Sequence, residues 1–298
     1  MKCRICEIEE NQKIRASTVF GGEEKHNFWE CDNCKAIYLY PPLTEQEEKL
    51  FYNKEFEKFM SKRVGDHRDW SNAEKHIQTN QDQVKRRWKF LEPHLKKNQD
   101  ILEIGCSSGF MLKAFRKYGL NPYGVEPSGE FLEFLHKNEF TAFESLDILK
   151  DNLSNKKFDL IVHFFVFEHI GNPFQFLKET YDMLENGGVI IAEIPSATDP
   201  LTSTYNIPAF ENFYWSIAHH YYYNPDSLKY ILDKLGYRYE LIAEQRYDLS
   251  NHIVWLMNGK VGGQNHFKFI SDKTIESYKQ DLKDNWICDT IFLKIYKD

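Results

Sequence analysis

Two cysteine pairs, Cys3-x-x-Cys6 and Cys31-x-x-Cys34, stand near the start of a 298-residue chain, while Cys106 and Cys288 are isolated. The short spacing lets each pair of thiolates take two corners of a tetrahedron, so in a reducing compartment the four read as a Zn2+ site rather than a disulfide framework. Twenty-four residues separate the pairs, enough for a small ribbon. Four sulfur ligands leave no open coordination position, so the metal is expected to be structural and the chemistry to lie elsewhere.

A second constellation is Ile101-Leu102-Glu103-Ile104-Gly105-Cys106-Ser107-Ser108-Gly109-Phe110. A buried strand that runs into glycines turns its backbone tightly and leaves room for a ligand where the next helix begins, the geometry of nucleotide-binding folds. Many such turns are purely structural, but Glu126 ends the next expected strand 23 positions after Glu103. An acidic side chain there accepts hydrogen bonds from both hydroxyls of a ribose. His169 follows a later strand, on the carboxyl-end side of a parallel sheet where ligands collect. Its unperturbed pKa lies near neutral pH, which suits a general base; a scaffold role is the alternative.

These residues need elements to hold them. Residues 1–42 carry short alternating stretches, including Phe28-Trp29-Glu30 and Ala36-Ile37-Tyr38-Leu39-Tyr40, that suit short strands around a metal. Residues 43–95 read as a helical connector. Thr44 and Glu47 make a capping box for a helix through 59, residues 60–69 form a mobile loop, and a second helix runs over 71–95. From 96 to 298, apolar runs at 101–104, 123–126, 141–143, 158–163 and 189–194 alternate with amphipathic stretches at 110–118, 129–137 and 173–184. That alternation predicts an α/β domain with a parallel sheet. Asn224, Pro225, Leu228, Ile231, Leu232, Leu235 and Gly236 mark a further helix from cap to stop, and two last strands follow at 239–246 and 290–296. Segments near 196–223 and 248–285, rich in aromatic and amide side chains, are placed to cover a bound acceptor.

Composition bounds the function. Hydrophobic residues make up 42% and aromatics 15%, so a large core is expected. The start of the chain lacks the apolar segment of a secretory signal and no long uncharged apolar run occurs, which predicts a cytoplasmic protein without membrane insertion. A formal net charge of −7 gives no general attraction to phosphate backbones, so a small-molecule acceptor is favoured over nucleic acid. Nothing in the sequence addresses oligomeric state.

Over about residues 85–298 the chain resembles the class I S-adenosylmethionine-dependent methyltransferases. The resemblance implies a Rossmann-like, seven-stranded, mostly parallel sheet with an antiparallel last strand. It implies that Glu103, Gly105, Ser107 and Gly109 belong to the first cofactor motif and that Glu126 binds the ribose; Ser107 stands where the family usually has glycine. Phe158-Asp159-Leu160-Ile161-Val162 resembles the fourth strand, Phe167-Glu168-His169-Ile170 the motif after it, and Leu184-Glu185-Asn186-Gly187-Gly188-Val189 the turn into the fifth strand. Asp147 and His163 are carried over as further cofactor contacts, although a helix-capping or solvated carboxylate explains Asp147 equally well. The glycine spacing is not G-x-G-x-x-G, which argues against a dinucleotide oxidoreductase.

His219, in His219-His220-Tyr221-Tyr222-Tyr223-Asn224-Pro225, matches a position where a histidine faces the acceptor in small-molecule methyltransferases, with a core or surface histidine as the alternative. Similarity to sugar and surface-polysaccharide methyltransferases, some of which carry a four-cysteine zinc module, implies a sugar or sugar-nucleotide acceptor. O-methylation is favoured over C-methylation because the long extra C-terminal domain of the sugar C-methyltransferases is not found. An RNA methyltransferase with a zinc module and a non-catalytic zinc-containing binding protein are the competing readings.

Overall fold

Alternating burial along single strands shows how the centre of the protein is assembled. In a computed structural model, which describes residues 1–51, 59, 62, 63 and 72–298, the segment Phe158–Phe164 directs Ile161 into one apolar layer and Leu160, Val162 and Phe164 into another. A strand covered on both faces reads as a continuous apolar run, which is why this part of the sequence looks like a parallel sheet.

The strands, in chain order, are β1 Gln12–Ala16, β2 Asn27–Cys31, β3 Ile37–Tyr40, β4 Asp100–Ile104, β5 Asn121–Val125 and β6 Thr141–Phe143. They continue as β7 Phe158–Phe164, β8 Leu184–Pro195, β9 Tyr221–Tyr222, β10 Arg238–Glu244 and β11 Thr290–Tyr296. The large sheet has the order β10-β11-β8-β7-β4-β5-β6. Pairs among β4 to β8 are parallel, whereas β11 runs antiparallel to both β8 and β10. This is the expected seven-stranded sheet with its reversed last strand.

Helices Phe110–Tyr118, Gly129–Lys137 and Pro173–Asp182 lie where periodicity predicts them, and Pro225–Leu235 carries both of its expected ends. Asn224 and Ser227 cap it reciprocally, and Gly236, at φ +69°, stops it. The capping box of Thr44 and Glu47 opens helix Glu45–Leu50. Most of the rest of that expected helix, and nearly all of the loop expected at 60–69, fall outside the described residues.

Several boundaries differ. The single helix expected over 71–95 is two, Ala73–Thr79 and Gln81–Leu91, followed by a 3-10 turn at Glu92–His94. Between them Asn80 donates its side-chain amide to the His76 carbonyl at 2.8 Å, offering the backbone an alternative to a continuous helix. Strand β8 starts earlier than expected because Gly187 N–H donates to the Lys297 carbonyl (2.9 Å) and Lys297 N–H to that of Gly188 (3.0 Å). The covering segments hold helices not read from the sequence: Pro200–Ser203, Pro208–Tyr214, Leu249–Asn258 and Asp272–Asp284. Among the described residues no helix is long and apolar enough to cross a membrane.

A second sheet, β1-β2-β3-β9, joins the N-terminal strands to the larger domain. Strand β9 comes from the covering segment after β8 and pairs Tyr221 with Tyr38 and Tyr222 with Ile37. One core cluster therefore runs without interruption from Cys3, Ile5, Cys31 and Cys34 through Tyr221 and Tyr223 to Leu102, Ile161 and Ile190.

Candidate functional site

The turn after β4 adopts a backbone that favours glycine. Gly105, Ser107 and Gly109 have φ of +72°, +50° and +76°, and the N–H groups of Gly105 and Cys106 both donate to the Val125 carbonyl, at 2.8 and 3.1 Å. A Cβ on Gly105 would stand 2.5 Å from Val166 Cγ2, and one on Gly109 2.5 Å from Leu135 Cδ2, so both positions are closed to larger residues. Ser107 holds the left-handed conformation without being glycine, and its hydroxyl has no partner.

Glu126, at the end of β5, folds its carboxylate over this turn. Oε2 accepts from Ser107 N–H at 2.6 Å and Oε1 from Ser128 N–H at 2.9 Å. Each oxygen keeps a second acceptor site. Burial pushes the carboxyl upward, opposed by those two N–H groups. Glu103 is fully buried below, with Oε2 unpartnered, and burial drives it well above the carboxylate range against the pull of Arg87.

The two remaining residues carried over as cofactor contacts lie in different settings. Asp147, on helix Leu146–Asn152, faces solvent and pairs with Lys150 at 2.8 Å, while Ser145 is the residue that caps the helix. His163 is fully buried on β7 beside the rings of Phe167 and Phe176, and neither ring nitrogen has a partner.

Burial lowers the His163 pKa to about 3. A folded-state value below the unfolded one of about 6.5 means that the neutral ring's contribution is fully present above that pH and is lost as pH falls toward 3. His163→Leu is therefore expected to raise stability at pH 7 by about 1–3 kcal/mol, by removing an unsatisfied polar ring. It should also flatten the acid limb by about 1.4 kcal/mol per pH unit below 6. Urea unfolding at pH 7 and pH 5 measures both, and an unchanged pH dependence would refute the assignment.

Just beyond Val166, the turn Phe167–His169 and the segment before β9 bring Glu168, His169 and His219 together. One ligand-type atom from each lies within 4.8 Å of those from the other two. The rings of His169 and His219 meet edge to face at 4.7 Å, His169 Nε2 is 3.9 Å from Glu168 Oε1, and His169 Nδ1 bonds to the Ala218 carbonyl at 2.6 Å. Burial raises Glu168 to about 8, lowers His169 to about 4, and lowers His219 well below its usual value. Both histidines are thus neutral at physiological pH.

Glu168, unlike His169 and His219, was not singled out from the sequence as a site residue. Its adjacency to His169 was the available signal. His220 holds the segment in place: its N–H donates to the Glu168 carbonyl at 2.8 Å, its Nδ1 meets the Arg4 guanidinium at 3.1 Å, and its Nε2 meets the Glu48 carboxylate.

The four N-terminal cysteines converge. Cys3 Sγ is 3.6 Å from Cys34 Sγ, Cys6 Sγ is 3.5 Å from Cys31 Sγ, and all four sulfurs lie within 4.8 Å of one another. Tetrahedral zinc with Zn–S bonds of about 2.3 Å requires S···S edges of about 3.8 Å. The two pairs are built alike. The residue after each second cysteine, Glu7 at φ +65° and Lys35 at φ +57°, donates its N–H to the carbonyl of the first, at 3.0 and 2.8 Å. N–H groups of Ile5 and Gln12 also reach Cys3 and Cys31 sulfur, both at 3.4 Å.

Residues 74–242 match the family model described as a methyltransferase domain. The chain belongs to that family. The match begins in helix Ala73–Thr79 and ends within β10, so it spans the glycine turn, Glu126 and the Glu168–His169–His219 cluster and leaves the four cysteines outside. Two curated proteins are similar to part of this chain. A ubiquinone biosynthesis O-methyltransferase of Nitrobacter winogradskyi is 29% identical over 96 residues, covering 31% of this chain and 37% of the relative. One of the same name from a Chelativorans species is 25% identical over 95 residues, covering 30% and 38%. The chain thus matches little more than a third of the length of these relatives. Among solved structures, a SAM-dependent methyltransferase from Archaeoglobus fulgidus shares the fold, with a TM-score of 0.51 at 22% identity, over 72% of this chain and 94% of that one.

Proposed function

We propose that the chain transfers a methyl group from S-adenosylmethionine to a hydroxyl oxygen of a small polar acceptor, and that the acceptor is a sugar or sugar nucleotide. The observation that carries this reading is the contact of Val166 with the Gly105 turn. It sets the Glu168–His169–His219 cluster two residues along the chain from the place where Glu126 and the glycine turn form a cradle. The residues present fit the donor. Glu126 retains acceptor capacity for two ribose hydroxyls, and Glu103 and Ser107 keep unpartnered oxygens. Gly105 and Gly109 let Val166 and Leu135 pack against the turn, and Asp147 and His163 join this set by resemblance alone.

When bound, the donor supplies a methyl group already activated on a sulfonium sulfur. The protein's task is to orient the acceptor oxygen and hold its proton elsewhere. Neutral His169 and His219 offer nitrogen lone pairs, and burial keeps them unprotonated. Tyr222, whose ring lies 4.8 Å from that of His219, is buried with Tyr214 and Trp215, and this aromatic group backs the cluster. A hydroxyl acceptor agrees with the O-methyltransferase names of the partial relatives. The four cysteines hold zinc as a structural ion, and this site is separate from methyl transfer.

Labelled S-adenosylmethionine incubated with a panel of sugar nucleotides and free sugars, read by mass spectrometry, tests the acceptor; no labelled product across the panel would exclude it. His169→Ala is expected to lower turnover at least about 100-fold, the scale of a lost general base, with S-adenosylhomocysteine affinity within about twofold. Retained turnover would remove His169 from the chemistry.

A further inference from the structure

A buried carboxylate normally has a cation or several hydrogen-bond donors beside it, because an isolated charge in the interior is costly. Glu168 is 1% exposed, and its Oε2 has no hydrogen-bond partner. Among the described residues no lysine or arginine lies within ion-pair distance of it; its ion-pair contact is with His169, at 3.9 Å. His219, 8% exposed, likewise has an unpartnered Nδ1. Glu168 and His219 thus each carry an unsatisfied polar atom and share one cluster with His169.

We infer that Glu168, His169 and His219 form a binding site for a divalent first-row metal ion, distinct from the four-cysteine site. The three offer one ligand atom each within a 4.8 Å span, which a small shift closes around an ion with ligand distances of about 2.0–2.2 Å. His169 is already oriented as metal-bound histidines are: Nδ1–H donates to the Ala218 carbonyl, which fixes the tautomer and turns the Nε2 lone pair toward Glu168. The backbone locks the other two ligands together, since His220 N–H donates to the Glu168 carbonyl and His219 N–H to that of Ser216, at 2.8 and 3.0 Å. Two imidazoles and one carboxylate are a nitrogen and oxygen set that suits Zn, Fe, Co or Ni, and three ligands leave positions open for water or an incoming hydroxyl. With an ion bound, the two histidines would serve as its ligands in place of the proton-accepting role given to them above, so the inference rests on the acceptor reading only for the identity of that hydroxyl; the metal site itself stands on geometry.

The full chain, with zinc in its four-cysteine site, is titrated with Co2+ and followed in the visible spectrum. The expected result is one Co2+ per chain bound with weak d–d bands and no sulfur-to-cobalt charge-transfer band. Glu168→Gln and His219→Asn should each weaken this binding at least about tenfold. S-adenosylhomocysteine calorimetry on the same samples separates the two ideas. Donor binding without Co2+ binding sinks the metal site and leaves methyl transfer standing, whereas Co2+ binding without donor binding does the reverse. If either variant fails to fold, pulsed EPR of wild-type protein loaded with Cu2+ decides the matter. Coupling to imidazole nitrogen supports the site, and its absence overturns it, as does unchanged Co2+ affinity in folded variants.

Discussion

Glu126→Ala is expected to weaken S-adenosylhomocysteine binding by about 100- to 1000-fold. The Glu126 carboxylate has two functions. It accepts the Ser107 and Ser128 N–H groups, tying the end of β5 to the glycine turn, and it presents its remaining lone pairs to the ligand. Hydrogen bonds to a charged acceptor are worth about 1.5–3 kcal/mol each, so loss of two ribose contacts alone accounts for about two to four decades. Alanine also strands two backbone donors in a part of the fold where Glu126 is 7% exposed. Glu126→Gln retains a carbonyl oxygen and should fall between wild type and alanine. Calorimetry at constant ionic strength measures all three proteins. Equal affinity for Ala and wild type would remove Glu126 from the cofactor site, and with it the main support for the donor assignment.

Withdrawal of the zinc proposed for the four cysteines, by chelation or by Cys31→Ser with Cys34→Ser, is expected to unfold residues 1–42. It should abolish turnover while leaving much of the donor affinity. Structural zinc contributes about 10–16 kcal/mol of binding free energy in small domains, comparable to or above the 5–15 kcal/mol by which whole domains are stable. The effect reaches the candidate catalytic cluster along contacts that start at the cysteine turns themselves. Arg4, inside the first pair, donates to the Leu39 carbonyl, meets His220 Nδ1 and lies over the Tyr221 ring at 4.8 Å. The Lys35 carbonyl, just after the second pair, accepts from the Asn224 side chain at 2.8 Å, and Asn224 caps helix Pro225–Leu235. Strand β3 pairs with β9, two residues beyond His219. The cradle, by contrast, is held by β4, β5 and Leu135 of helix Gly129–Lys137. Limited proteolysis, calorimetry and turnover on metal-free and reloaded protein separate these effects. Full activity without metal, or loss of donor binding in parallel with turnover, would contradict the division.

What could be read in the residues is what local physics controls. The double-faced apolar runs specify the parallel strands. Gly105 and Gly109 mark a turn that a Cβ would block, and the cysteine spacing marks two turns whose sulfurs converge. Asn224 and Gly236 delimit one helix because capping is decided within a few residues. The break at Asn80 was missed because an asparagine side chain competes with the helix only when its neighbours let it reach back to His76. Pro200–Ser203 and Pro208–Tyr214 are too short to show a period, whereas Asp272–Asp284, capped by Ser271 and with Ile275, Tyr278 and Leu282 at helical spacing, was legible in the sequence.

By itself, the sequence determined the seven-stranded α/β architecture, the cradle of Gly105, Gly109 and Glu126, and the grouping of four cysteines, since each depends on backbone turns and periodicity over a few residues. Only the tertiary structure decided that Glu168 joins His169 and His219, that β9 binds the cysteine-bearing sheet to the methyltransferase domain, and that Asp147 faces solvent while His163 is enclosed. Those outcomes depend on which distant segments pack against one another, and on whether packing leaves a buried polar group with a partner. Neither is written in local spacing.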